Sequence, residues 1–149
     1  MVRVRGMLLD KKEGVTRTKV ILFIPEDADC PDQLHSLVES IRPFVVVEIV
    51  RSVGYLKGQF LPQADQLGLI LPIVIVLSPT KGDLKGLLKV EELFENARLI
   101  LLLRDTDEET VALGHRLRPR FISYLGNGFS DIVAVVRKMA GDNRETDYT

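Results

Sequence analysis

Five short runs of apolar residues punctuate the chain: 19–24 (KVILFI), 44–50 (FVVVEIV), 73–77 (IVIVL), 98–103 (RLILLL) and 121–125 (FISYL). Three of them are almost continuously apolar rather than alternating. Strands read this way when both faces of their sheet are covered, as in a parallel sheet. β-branched residues dominate the second and third runs, which favours strand over buried helix.

Helical spacing fills the gaps. Leu34, Leu37, Val38 and Ile41 fall on one stripe, with Pro31 suited to a first helical turn and Pro43 to a stop. Leu84, Leu87, Leu88, Val90 and Phe94 form a second stripe. Thr106 and Glu109 spell the T-x-x-E of a capping box, placing a helix start near Asp107. Ile132, Val135, Val136 and Met139 form the last stripe. Ser130 suits its cap, Asp131 its positive end, Arg137 and Lys138 its negative end, and Gly141 the position just beyond. Between 51 and 71, Gly54, Gly58, Pro62 and Gly68 interrupt any pattern. A short helix near 62–67 and an extension of the second strand both remain open there.

Strands alternating with helices imply βαβ units with right-handed crossovers. The expected fold is α/β, a doubly wound five-stranded parallel sheet over 19–141. An N-terminal extension at 1–18 adds an extra strand or hairpin, with residues 2–9 as strand and 10–14 as turn. Residues 142–149 form a polar, flexible tail.

The chain has 149 residues, enough for one buried core, with 46% hydrophobic and 28% charged residues, which argues against disorder. A formal net charge of −1 gives no global field for nucleic acid or an anionic membrane. The densest basic cluster, Arg116, Arg118 and Arg120, is small for a nucleic-acid patch. One cysteine, Cys30, cannot form an internal disulfide, which suits a reducing compartment. The longest apolar stretch, 67–77, contains Gly68 and Pro72 and falls short of the roughly 20 residues of a spanning helix. With no secretory leader pattern, the expected location is cytoplasmic, away from any membrane.

Ligands of open parallel sheets bind beyond the carboxyl ends of the strands. After the first strand these positions hold Pro25, Glu26, Asp27 and Asp29; after the third, Ser78, Thr80, Lys81 and Asp83. Arg104, Asp105, Thr106 and Asp107 follow the fourth, and Gly126, Asn127 and Gly128 the fifth. The acidic group reads as a solvated rim more readily than as a divalent-cation site, because no fixed ligand spacing supports one. Ser78, Thr80 and Lys81 offer hydroxyls and a cation to a phosphate, although the segment is not a P-loop. His35 and His115 lack the partners of a catalytic arrangement, and no Cys/His metal spacing or cofactor motif occurs. No catalytic residue, metal or cofactor is therefore expected.

From 19 to 140 the order of elements resembles the receiver domain of bacterial response regulators, a flavodoxin-like fold. LPIVIVLS at 71–78 resembles the third receiver strand, and Gly86 stands where the family often has a glycine opening its third helix. DEET at 107–110 resembles the start of the fourth receiver helix. YLGNGFS at 124–130 resembles the end of the fifth strand, where the family usually reads Tyr-Leu-x-Lys-Pro-Phe. The departures are chemical. The family's acidic pair falls at Pro25 and Glu26, with Asp27 next. Ser78 stands at the phosphoacceptor aspartate, Asn127 at the conserved lysine, and Leu103 or Arg104 at the Ser/Thr closing the fourth strand. In receivers the aspartates bind Mg²⁺ and take a phosphoryl group while the lysine stabilises the charge. The resemblance therefore implies a degenerate, pseudo-receiver type without phosphotransfer.

This reading makes the chain a non-catalytic signalling or protein-interaction module. Its partner is another protein or a second copy of itself, with no nucleic acid and no membrane involved. The face that receivers use for docking corresponds to 107–117, 121–125 and 130–139, with Arg116, Arg118, Tyr124, Arg137 and Lys138 as contact candidates. Two alternatives stand beside it. One is a small-ligand or phosphate-binding domain, or an enzyme, using Ser78, Thr80, Lys81, Asp105 and Asn127. The other is an active receiver with a displaced carboxylate at Asp83.

Overall fold

The computed structural model describes residues 18–25, 33–59 and 71–141. The expected N-terminal hairpin, the tail at 142–149, Glu26, Asp27, Cys30, Pro31 and the segment 62–67 lie outside the described residues.

Five strands form one sheet in the order β2-β1-β3-β4-β5: β1 Lys19–Phe23, β2 Val46–Val50, β3 Ile73–Leu77, β4 Arg98–Leu103 and β5 Phe121–Tyr124. Every pairing is parallel, with Val20 opposite Ile73, Ile73 opposite Arg98 and Ile100 opposite Phe121. The helices are α1 Gln33–Ile41, α2 Val53–Gly58, α3 Lys81–Leu88, α4 Glu108–Arg116 and α5 Ser130–Met139, with 3-10 turns at Glu91–Asn96 and Leu125–Asn127.

Side chains alternate across a strand, so the central strands feed two cores. Ile21, Phe23, Val74, Val76, Leu99, Leu101 and Leu103 pack against Leu56 of α2, Leu84 and Leu87 of α3, and Leu113 of α4. Val20, Leu22, Ile73, Ile75, Leu77, Ile100 and Leu102 face the other way, onto Leu37, Val38 and Ile41 of α1 and Ile132 and Val136 of α5. β3 is buried along its whole length, which is why its sequence shows no alternation.

Several boundaries differ from the sequence pattern, each for a local reason. β2 begins at Val46 rather than residue 44, because Phe44 closes a turn onto Ile41. At the edge of the described strands it covers little: Val46 and Ile49 stay about half exposed, and Glu48 between them is exposed too, a charge of the kind that blunts an edge. The second strand does not extend beyond Val50. Ser52 instead caps α2 by accepting the amide of Tyr55 at 3.2 Å. The stripe from Leu84 to Phe94 is two elements, since α3 ends at Leu88 and Phe94 reaches the core from a 3-10 turn. α4 is capped by Asp107, not by a Thr106–Glu109 box, and Asp107 accepts from both the amide and the hydroxyl of Thr110. Ser130 is the first residue of α5, not its cap; Phe129 holds that position without a side-chain bond. Gly141 follows α5 at φ 82°, the left-handed conformation expected of it.

At the amino end of the sheet, Arg98 opens β4 and ties two distant segments together. Its Nε and one terminal nitrogen donate to the Leu71 carbonyl, and the other terminal nitrogen donates to the carbonyl of Met139 at the end of α5.

Candidate functional site

The order β2-β1-β3 reverses direction between β1 and β3, and the carboxyl ends of these strands form the crevice where such folds place ligands. Ser78 stands there, one residue beyond β3. It is 3% exposed and holds φ 54°, a conformation that side chains adopt at a cost. Its amide donates to the Leu102 carbonyl at 2.7 Å, which continues the β3–β4 ladder past the strand end. Its hydroxyl accepts a hydrogen bond from Nε of Arg104 at 3.1 Å. Arg104 is the first residue after β4 and is exposed to solvent on its outer side.

A second arginine borders the same rim. Arg51 follows β2 and donates from Nε to the Ile24 carbonyl at 3.0 Å and from a terminal nitrogen to the Pro25 carbonyl at 3.3 Å. The ends of β1 and β2 are thus joined by one guanidinium, and those of β3 and β4 by another. The sequence reading missed Arg51; its spacing of 27 residues from Ile24 carries no local signal.

Thr80 and Asp83 are committed to each other. Thr80 caps α3 by accepting the Asp83 amide at 3.1 Å, and its own amide donates to the Asp83 carboxylate at 2.9 Å. Lys81 reaches across to α4, where its ammonium lies 3.1 Å from Glu109 and 3.4 Å from Asp107. Hydrogen bonds to Glu109 and then to Asp107 raise the Lys81 pKa above its ordinary value. The Asp107 carboxyl is held below the usual carboxylate range, first by the Thr110 hydroxyl and amide and then by Lys81. Asp105 and Thr106 are exposed beside this pair. Asn127 stands exposed in the turn after β5, and in the Gly126-Asn127-Gly128 segment only Gly128 takes a positive φ, 78°.

Chemically, the described rim is a serine hydroxyl held by a guanidinium. A serine nucleophile needs a base to take its proton, and Ser78 has no carboxylate or imidazole partner among the described residues. Among them, too, no group of three or more His, Cys, Asp or Glu side chains is placed to hold a metal ion.

The candidate docking residues divide. Arg116 and Lys138 are exposed in the last turns of α4 and α5. Arg118 is exposed just beyond α4, at φ 57°. Tyr124 is partly buried against the core beneath α4. Arg137 sits 5.1 Å over the ring of Phe44, in the turn between α1 and β2, a cation–π contact.

No family model and no curated protein matches the chain in sequence. Solved structures do match in shape. A response regulator CheY-like protein from Mesorhizobium loti superposes with a TM-score of 0.61 at 20% identity, over 83% of this chain and 99% of that one. A putative pilus assembly-related protein from Burkholderia pseudomallei gives 0.57 at 16% identity, over 83% and 90%. An orphan response regulator of H. pylori gives 0.54 at 11% identity, over 84% and 99%. Among the described residues no helix is long and apolar enough to cross a membrane. In the parallel direction of all five strands, their order, and the helices on both faces, the chain has the CheY-like, flavodoxin-type fold of receiver domains.

Proposed function

We propose that this chain is a degenerate receiver: a cytoplasmic signalling module that acts by docking to protein and carries out no phosphotransfer. One observation carries the reading. At the end of β3, where receivers present the phosphoacceptor aspartate, a buried serine stands with its oxygen bonded to Arg104. A neutral hydroxyl in that position offers neither an anionic nucleophile nor the negative charge of a carboxylate ligand for Mg²⁺. Asn127 at the lysine position supplies no cation to neutralise a phosphoryl group. The neighbouring side chains support the same reading, because Thr80, Lys81 and Asp83 are already spent on helix capping and on the bridge to α4.

Surface and shape are then the working parts. The outer surface of α4, β5 and α5 is the face by which the chain docks, first of all to a second copy of itself. Among the described strands β5 stands at the sheet edge, with a neighbour on one side only. A stable pair needs roughly 800 Å² from each partner, an area that two helices and a strand can provide. Sedimentation velocity over a concentration series tests this, using the unmodified chain and an Ala112→Arg/Ala134→Arg variant. Both alanines are exposed on the helices flanking β5, so the fold tolerates the change. A concentration-dependent dimer abolished in the variant is expected. A monomer throughout the series, or a dimer indifferent to both substitutions, would overturn the self-docking reading.

A further inference from the structure

The opposite end of the molecule, at the amino ends of β4 and β5, gathers cations that form no ion pair among the described residues. Arg98 opens β4, and the amide of Arg120, the residue just before β5, donates to the Leu99 carbonyl at 2.7 Å, which sets Arg120 beside the start of β4. Their charges act on each other: burial first, and then the Arg120 charge, lowers the Arg98 pKa. Arg98 also holds the carbonyl of Met139, which brings the last turn of α5, with Lys138, to the same corner. Arg116 ends α4, and Arg118 follows two residues later on the way into β5. Arg116, Arg118, Arg120 and Lys138 are in contact with no carboxylate among the described residues, whereas Arg42 has one and Lys81 two.

A second, independent observation singles out Arg118. Among the described residues only Ser78 and Arg118 hold a positive φ without being glycine. Arg118 occupies the position after a helix where glycine or asparagine is favoured, and Pro119 restricts it further. An exposed arginine kept in an unfavourable backbone conformation points to a use for its charge.

We propose that Arg116, Arg118, Arg120 and Lys138 form a docking surface for an acidic segment of a partner protein. The inference rests on the reading of the chain as an interaction module and names the chemistry of one partner. Carboxylates fit better than a nucleic-acid backbone. The chain carries a net charge of −1, and Glu91, Glu92 and Glu95 lie exposed on the 3-10 turn that enters β4 at this same edge. A phosphate chain running across the edge meets those glutamates, while a short acidic segment seats on the basic corner alone.

Fluorescence anisotropy with a labelled poly-glutamate peptide tests it, against a labelled DNA duplex of matched charge. The unmodified chain should bind the peptide more tightly than the duplex, and the binding should weaken as salt rises. Arg118→Gly/Arg120→Ser should weaken peptide binding by about tenfold, two exposed charge contacts each contributing a few-fold. Lys57→Gln/Lys85→Gln, which removes exposed cations elsewhere, should leave it unchanged. No binding at low salt, equal loss in both double variants, or tighter binding of the duplex would each overturn the proposal. Sedimentation of the same variants separates the two readings: peptide binding lost with the dimer intact supports this surface, and a missing dimer with peptide binding intact removes only the self-docking face.

Discussion

Two helix ends in this fold are solved in opposite ways, and exchanging the solutions gives a quantitative test. After α4 the left-handed position is filled by Arg118 at φ 57°; after α5 it is filled by Gly141 at φ 82°. Both amides close the turn, Arg118 onto the His115 carbonyl at 3.0 Å and Gly141 onto that of Lys138 at 3.1 Å. Holding an L-residue left-handed costs about 1–2 kcal/mol. Introducing glycine gives back about 0.4–1 kcal/mol through the freer unfolded chain. Arg118→Gly should therefore stabilise the protein by about 0.5–1 kcal/mol, or about 2 °C in Tm for a chain of this length. Arg118→Ala removes the same charge and keeps the backbone penalty, so it should leave Tm nearly unchanged. Gly141→Ala should lose about 1 kcal/mol, because a Cβ there meets no atom within 4 Å and the loss is purely conformational. Urea unfolding of the three variants measures these differences. A Tm raised as much by Arg118→Ala as by Arg118→Gly would show that charge repulsion, not backbone strain, is relieved, and a Tm lowered by Arg118→Gly would refute the reasoning.

Three further outcomes follow from the packing and the charges. Arg98→Ala should cost about 2–4 kcal/mol in urea unfolding, since charged hydrogen bonds to two carbonyls are lost, and amide exchange in the last turn of α5 should accelerate. Gly114→Ala should fail to deliver the usual helix gain of about 1 kcal/mol. The new methyl would lie 3.0 Å from a Leu101 methyl in the core, and pairing it with Leu101→Val should recover stability beyond additivity. The Asp107 carboxyl has a folded pKa below its unfolded one, so its contribution is present above the ordinary carboxylate pKa and is lost as pH falls through the folded value. Tm of the unmodified chain should thus fall more steeply below about pH 4 than that of Asp107→Asn, which keeps a capping oxygen without a charge to titrate; parallel curves would contradict this.

The architecture was legible wherever burial acts on both faces of a strand. β3 is apolar throughout, and β1 and β4 are apolar after their first residues Lys19 and Arg98, because two cores claim alternate residues. β2 misleads for the converse reason: it stands at the edge of the described strands, and its apolar sequence begins before the strand does. α2 was hidden because six residues containing Gly54 and Gly58 give too few turns to show a stripe; the cap at Ser52 was its only mark. At the rim, Ser78 was placed correctly at the strand end by counting along the chain. Its bond to Arg104, and the bonds of Arg51 to the end of β1, join residues more than 25 positions apart, and only the sheet order brings them together. The seating of Arg137 on Phe44 is of the same kind, since helical spacing places the arginine on a face without saying which neighbour that face meets.

Ser78 decides whether this rim can react. Incubating the chain with a small acyl-phosphate donor and Mg²⁺, then recording the intact mass at once, asks whether the rim can take a phosphoryl group. An unmodified mass at every time point is the expected result, with a phosphorylatable receiver as the positive control. A phosphoryl adduct that depends on Mg²⁺, on any residue of the rim, would contradict it.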